Sequence, residues 1–293
     1  MHSVPFDNIN KFEGQLRRYN NIYRNEILFK RLSLREKNIL AENAKYKDKY
    51  RGKRCFVLGN GPSINKVDFS KLSDEIVITV NDMVCHKEFE RLKSNFHFMA
   101  DPVYLKLRRN EIGEAQILEK VGGFPKSNTT LLFPLSGWTT ARKYGWRGKI
   151  NISYFCSNLY FYDNYQEKID FTKFIPSFQG VILWCIAFAV YMGCGTIYLL
   201  GCDMTDVVSD LSLFINQKGD LNYGFDLSKE TADFERKAKI DVGLEYTLYG
   251  YWKIVRGFSE MYKYCIRNNV KMYNCSEESI LESIPKKKIN DIL

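Results

Sequence analysis

Five consecutive residues, Gly59-Asn60-Gly61-Pro62-Ser63, have the composition of a turn that can handle a phosphate. Glycines permit a tight turn that brings backbone N–H groups close to a bound group. Pro62 fixes φ, and Ser63 can cap a following helix or bond a phosphate oxygen. The turn follows directly on Arg54–Leu58 (R-C-F-V-L), a short apolar run of the kind that forms a buried strand. It fits neither G-x-G-x-x-G nor G-x-x-x-x-G-K-[ST], so a P-loop NTPase is not expected. An ordinary Gly/Asn/Pro turn has the same composition, and the loop gains weight only from what surrounds it.

Other polar residues occupy the same kind of position. Glu75–Val80 reads as a second strand and ends at Asn81-Asp82, and Asn95–Ala100 reads as a third and ends at Asp101-Pro102. Thr196–Leu200 reads as another and ends at Gly201-Cys202-Asp203. Asn amides both donate and accept, which suits a base, a ribose or phosphate oxygens. The aspartates could take ribose hydroxyls or a divalent ion, and each could equally be a helix N-cap. In open α/β sheets ligands sit outside the carboxyl ends of the strands, and this rule gathers Asn60, Asn81, Asp82, Asp101 and Asp203 on one rim.

The elements that must position these residues alternate between short strands and helices, which predicts an α/β fold: a doubly wound, mostly parallel, Rossmann-like sheet with a lid region. Helices are expected over Tyr104–Val121, Glu230–Lys239 and Tyr251–Asn268, and strands over Thr129–Pro134 and Val270–Cys275. Residues 136–178 read as loop-rich, and 204–228 as a mobile loop. Residues 1–50 read as a basic helical extension, either packed on the flank of the domain or serving as a membrane or partner arm. The domain proper is expected over 51–293, with its lid around 204–250. The uncharged stretch from Val181 to Gly201 is long enough to span a bilayer. Gly193-Cys194-Gly195 interrupts it as a helix stop, so a buried helix followed by a buried strand is the expected reading.

The 293 residues carry a formal net charge of +9, which favours anionic partners unless it reflects only a lysine-rich surface. Hydrophobic residues make up 45%, enough for a real core. The eight cysteines form no C-x-x-C pair and mostly lie in apolar runs, which points to a reducing cytoplasm without disulfides or zinc. Basic residues form no stripe interleaved with aromatics, so nucleic acid is not an expected partner.

With these residues in place, the chain resembles the bacterial sialyltransferase-like enzymes of glycosyltransferase family 42 and the related 6-hydroxymethylpterin pyrophosphokinase-like proteins. The resemblance rests on F-V-L-G-N-G-P-S at 56–63, V-N-D at 80–82, A-D-P at 100–102 and the block from Gln179 to Asp203. It implies a Rossmann-like nucleotide-sugar domain with a lid, CMP-activated acidic (sialic-acid-like) donors, and transfer without a metal. It places Asn60 by the phosphate, Asn81 on the nucleotide and Tyr223 of the lid on the phosphate. Gly59, Gly61 and Ser63 complete the nucleotide site, together with Asp101 and Gly180.

The chain departs from that pattern at several points. Asp101 stands where the family has a third Asn, Gln179-Gly180 where it has a small hydroxyl residue, and Thr205 where it has a Tyr. The family's catalytic base is a His after the lid, and no His lies beyond His97 here. Leu244–Tyr249 should occupy that place. A base must take the acceptor's proton, and Glu245, Tyr249, Asp203 and Asp101 are the candidates.

The first expectation is therefore a glycosyltransferase moving a sugar from a nucleotide donor to a hydroxyl of a surface glycan, as in lipopolysaccharide or capsule biosynthesis. Its partners would be the nucleotide-sugar and the glycan acceptor, with no further cofactor. Peripheral contact with the inner membrane and self-association are further options. The alternatives are a phosphotransferase of the pyrophosphokinase-like kind, with Mg²⁺ on Asp82, Asp101 and Asp203, and a non-catalytic nucleotide or glycan binder.

Overall fold

The structure is a computed structural model and describes residues 6–101, 112–124, 129–216 and 229–293. Two helices, α1 (Phe6–Arg31) and α2 (Leu34–Ala41), precede β1 (Arg54–Leu58) and β2 (Ile76–Val80). A single turn, α3 (Phe89–Leu92), leads to β3 (Phe96–Phe98). Then follow α4 (Ile112–Gly122), β4 (Thr130–Pro134), α5 (Trp138–Lys143), β5 (Asn151–Tyr160) and β6 (Phe174–Ser177). The second half holds α6 (Val181–Tyr191), β7 (Thr196–Leu200), α7 (Asp206–Asn216), α8 (Lys229–Val242), α9 (Leu244–Arg267) and β8 (Lys271–Asn274).

The strands form one eight-stranded sheet in the order β6-β5-β4-β3-β2-β1-β7-β8, and every pairing is parallel. The chain runs outward from β1 to β6 and then returns to lay β7 against the free side of β1. The strand order therefore reverses between β1 and β7, and a crevice opens outside their carboxyl ends.

Helix α6 explains the return. Its sequence V-I-L-W-C-I-A-F-A-V-Y is apolar all round, and eight of its eleven residues are buried, because the sheet covers one side and α9 the other. Gly193 ends the helix with φ 81°, and β7 starts three residues later. At about 1.5 Å per residue such a helix is too short for a bilayer. No helix among the described residues is long and apolar enough to cross a membrane. Phe188 of α6 is wholly buried and packs edge-on to Tyr46, Phe96, Phe98 and Phe171 at 4.9–5.5 Å between ring centres.

The stretch expected to be loop contains the longest strand, β5, and the edge strand β6. Their signal is weak because β5 mixes Asn151, Ser153, Ser157 and Asn158 into its apolar positions, and its register with β6 shifts between Ser157 and Leu159. Its outer face is completed by the N-terminal helices. The Asn21 side-chain amide donates to Tyr160 O and accepts from Tyr160 N–H, both at 2.8 Å. The Asn43 amide donates to Tyr154 O at 2.7 Å and Phe171 O at 2.9 Å. Of the expected Tyr104–Val121 helix, α4 is the described part. Part of the stretch read as a mobile loop is the helix α7, and Tyr223 lies outside the described residues.

His97 in β3 is completely buried and contacts the Thr79 hydroxyl through Nδ1 at 2.9 Å. Burial pushes its imidazole down to about 3. An unfolded His titrates near 6.5, so between pH 6.5 and 3 the unfolded chain binds a proton that the folded chain refuses. Stability from this residue is present above pH 6.5 and is lost as the pH falls through that window. Urea denaturation at pH 6.5 and pH 5 should show a loss of about 2 kcal/mol that the His97→Gln variant lacks.

Candidate active site

The crevice at the strand reversal is built by two loops packed backbone to backbone. After β1, Gly59 N–H donates to Leu200 O and Gly61 N–H to Gly201 O, both at 2.8 Å. A Cβ on Gly59 would lie 2.5 Å from Gly201 O, and one on Gly61 would lie 2.5 Å from Asp203 Oδ2. Gly201 itself has φ 63°. Three glycines are thus required by the approach of one loop to the other. The Gly59 and Gly61 N–H groups, expected to face a bound group, are used in joining the two loops.

Asp203 locks the contact. Its carboxylate accepts from Ser63 N–H at 2.7 Å and from the Ser63 hydroxyl, and the side chain is almost wholly buried. Ser63 therefore faces Asp203, and the short 3₁₀ turn Pro62–Lys66 that follows has no side-chain cap. The far side of the β7 loop is held by a buried polar set at the end of β8. Cys202 N–H donates to Ser276 Oγ at 2.9 Å, the Ser279 hydroxyl donates to Cys202 O at 2.8 Å, and the Asn274 amide donates to Ser279 Oγ at 2.8 Å. Sequence reasoning passed over Asn274, Ser276 and Ser279. The signal was there, since N-C-S-x-x-S stands at a strand's carboxyl end as the other site residues do.

Asn60 sits in the β1 loop, and Asn81 stands just past the adjoining strand β2 in a left-handed conformation, φ 39°. Asn tolerates that region better than other residues with a Cβ. The Oδ1 atoms of both are buried and have no hydrogen-bond partner. Such atoms are uncommon in folded proteins and each calls for an explanation. Asp101 follows β3 and is exposed, whereas Asp82 is buried.

The remaining candidates lie elsewhere on the carboxyl side. Gly180 is exposed with φ 95° at the entry to α6, where Ile254 of α9 is the neighbour a Cβ would touch. Glu245 and Tyr249 occupy the first two turns of α9 and are exposed. Tyr249 stacks on Trp252. On another face of α9, the Tyr251 hydroxyl bonds Asp206 at 2.8 Å and Asp210 at 2.6 Å, tying the helix to α7 just beyond Asp203. The structure thus joins Gly59, Gly61, Ser63 and Asp203 by direct contact and sets Asn60 and Asn81 on adjoining strand ends, while Glu245 and Tyr249 stand exposed on the first turns of α9. Among the described residues no group of three His, Cys, Asp or Glu is placed to hold a metal ion, so Asp82, Asp101 and Asp203 do not converge.

The Ser63–Asp203 brace is testable by a double-mutant cycle. Asp203→Ala strands the Ser63 amide and hydroxyl and should cost about 1–3 kcal/mol in urea denaturation. Ser63→Ala added to that background should cost clearly less than it does alone, because the two changes remove one shared interaction.

Comparison with known proteins gives fold-level likenesses only. No protein-family model matches the chain. No curated protein matches it either. Among solved structures it is similar to the sialyltransferase CstII from Campylobacter jejuni in complex with a substrate analogue, cytidine-5'-monophosphate, at 14% identity and TM-score 0.43, covering 82% of this chain and 86% of that one. The same enzyme with CMP-3FNeuAc gives 14% identity and TM-score 0.38, with 80% and 84% covered. The MAf glycosyltransferase from Magnetospirillum magneticum AMB-1 gives 15% identity and TM-score 0.44, covering 88% of this chain but only 39% of that one. At such identities and TM-scores, none of these likenesses assigns a residue or a reaction to this chain.

Proposed function

We propose that the crevice between the β1 and β7 loops binds the nucleotide of a nucleotide-sugar, and that the chain is a glycosyltransferase. The donor is a CMP-linked acidic sugar of the sialic-acid kind, and the acceptor is a hydroxyl of a surface glycan. The observation that carries this reading is the pair of buried, unpartnered amide oxygens of Asn60 and Asn81 beside the strand reversal. A buried acceptor left unpaired costs about 1–3 kcal/mol, and a ligand that donates to it removes that cost. Ribose hydroxyls and an exocyclic base amine are such donors, while the amide nitrogens can meet phosphate oxygens.

Asn60 is assigned to the phosphate side and Asn81 to the nucleoside. Asp101 takes a ribose hydroxyl, Gly180 leaves room at the entry to α6, and Tyr223 binds the phosphate. In transfer, the bond between the anomeric carbon and the phosphate oxygen breaks, and CMP leaves with the electron pair. The acceptor oxygen forms the new bond, and its proton passes to a base. Asp203 is committed to Ser63 and Asp101 is given to the ribose, and of the two residues on the first turns of α9 the exposed carboxylate Glu245 is assigned as the base.

CMP should raise the melting temperature, UDP and GDP should raise it less, and Asn60→Ala should abolish most of the CMP response. An unchanged CMP response in Asn60→Ala would remove the site from this crevice. Glu245→Gln should keep the CMP response and lower the turnover of a CMP-activated acidic sugar by about 10²–10⁴-fold; full turnover would exclude Glu245 as the base.

A further inference from the structure

A groove of ≈ 1060 Å³ runs between α1 and α9 over the carboxyl ends of β5 and β6. Three large aromatic side chains border it with about half of their surface in water: Tyr160 at 45%, Tyr249 at 50% and Trp252 at 55%. Tyr249 and Trp252, three residues apart on α9, lie nearly parallel, with ring planes 9° apart and centres 5.9 Å apart. They stack on one another along the helix surface. Tyr160 stands at the end of β5, where the Asn21 amide fixes its main chain.

Each ring carries a cation. Lys253 Nζ lies 4.0 Å from the centre of Tyr249, the Arg256 guanidinium 5.2 Å from Trp252, and the Arg24 guanidinium 5.4 Å from Tyr160. The carboxylates of the groove are already engaged. Asp163 pairs with Arg256, and Glu260 accepts from Lys263 at 2.7 Å and from Asn164 N–H at 2.6 Å. Arg24 bonds only the neutral Asn158 amide, and Lys253 has no carboxylate partner among the described residues. The groove therefore presents half-exposed aromatic rings with cations over them, and its described carboxylates Asp163 and Glu260 are already paired.

We propose that this groove binds an anionic oligosaccharide. Its sugar rings pack by their C–H groups against the exposed surfaces of Tyr249, Trp252 and Tyr160, and its carboxylate, phosphate or sulfate groups meet Arg24 and Lys253. Flat rings with adjacent cations suit this ligand because a sugar offers an apolar face and polar edges at once. The groove adjoins the entry to α6 through Gln179 and extends from there toward the β5 edge of the sheet. Its β5 wall is four strands from β1, about 19 Å at the usual strand spacing. That it seats the distal sugars of an acceptor rests on the proposed glycosyl transfer; that it binds such a chain does not.

The test uses the intact chain with tetragalacturonate, the neutral maltotetraose and oligothymidylate, followed by calorimetry and by the fluorescence of Trp252, the most exposed tryptophan of the groove. Saturable binding of tetragalacturonate is expected, at least about tenfold tighter than maltotetraose and weakened by salt. Trp252→Ala and the double variant Arg24→Ala/Lys253→Ala should each weaken it by about tenfold, with circular dichroism unchanged. Absent binding, equal affinity for maltotetraose, indifference to these variants, or tighter binding of oligothymidylate would each overturn the assignment. Groove binding in a chain that gives no thermal response to CMP would sustain this inference while removing the nucleotide-sugar reading.

Discussion

The site depends on the contact between two loops that share no sequence neighbourhood. The Gly59–Ser63 loop and the Gly201–Asp203 loop meet with their main chains in hydrogen bond, and a carboxylate from one loop holds both the amide and the hydroxyl of a serine in the other. An approach this close excludes side chains at Gly59 and Gly61. The buried carboxylate would be costly without its two donors. Once the contact forms, the position of Asn60 follows, as does the orientation of the crevice it faces. The β8 network of Asn274, Ser276 and Ser279 extends the same logic outward by fixing the main chain of Cys202.

The sheet makes that contact possible. A chain that built strands β1 to β6 in one direction would leave one side of β1 uncovered. The wholly apolar α6 carries the chain back beneath the sheet and lays β7 there. The apolar character of α6 and the location of the crevice are therefore two results of one topology. At the opposite edge, Asn21 and Asn43 use side-chain amides to satisfy main-chain groups of β5 and its neighbourhood, which makes the N-terminal helices part of the edge's hydrogen bonding.

Helix α9 links the two halves of the carboxyl surface. Tyr251 on one face ties it to Asp206 and Asp210 near the β7 loop, while Tyr249, Trp252 and Lys253 on another face line the α1–α9 groove. The crevice and the groove differ in kind. Buried, unpartnered amide oxygens mark the first, and half-exposed rings with cations over them mark the second.

The sequence by itself determined the elements whose signal is local. Short apolar runs ending in polar turns marked β1, β2, β3, β4 and β7, and the Gly193-Cys194-Gly195 stop separated α6 from β7. The rule that ligands sit outside the carboxyl ends of parallel strands then put Asn60, Asn81 and Asp203 on one rim from sequence alone. Only the tertiary structure decided what lacks a local signal. Strand β5 is polar enough to read as loop, and the amides that complete its main-chain hydrogen bonding, Asn21 and Asn43, lie more than 100 residues away in sequence. The use of the Gly59 and Gly61 amides also had to await the fold, since a glycine permits close approach but does not say what approaches. Asp203 likewise stood as a possible ligand contact until Ser63 was found to satisfy both of its oxygens, a pairing across 140 residues that no spacing encodes.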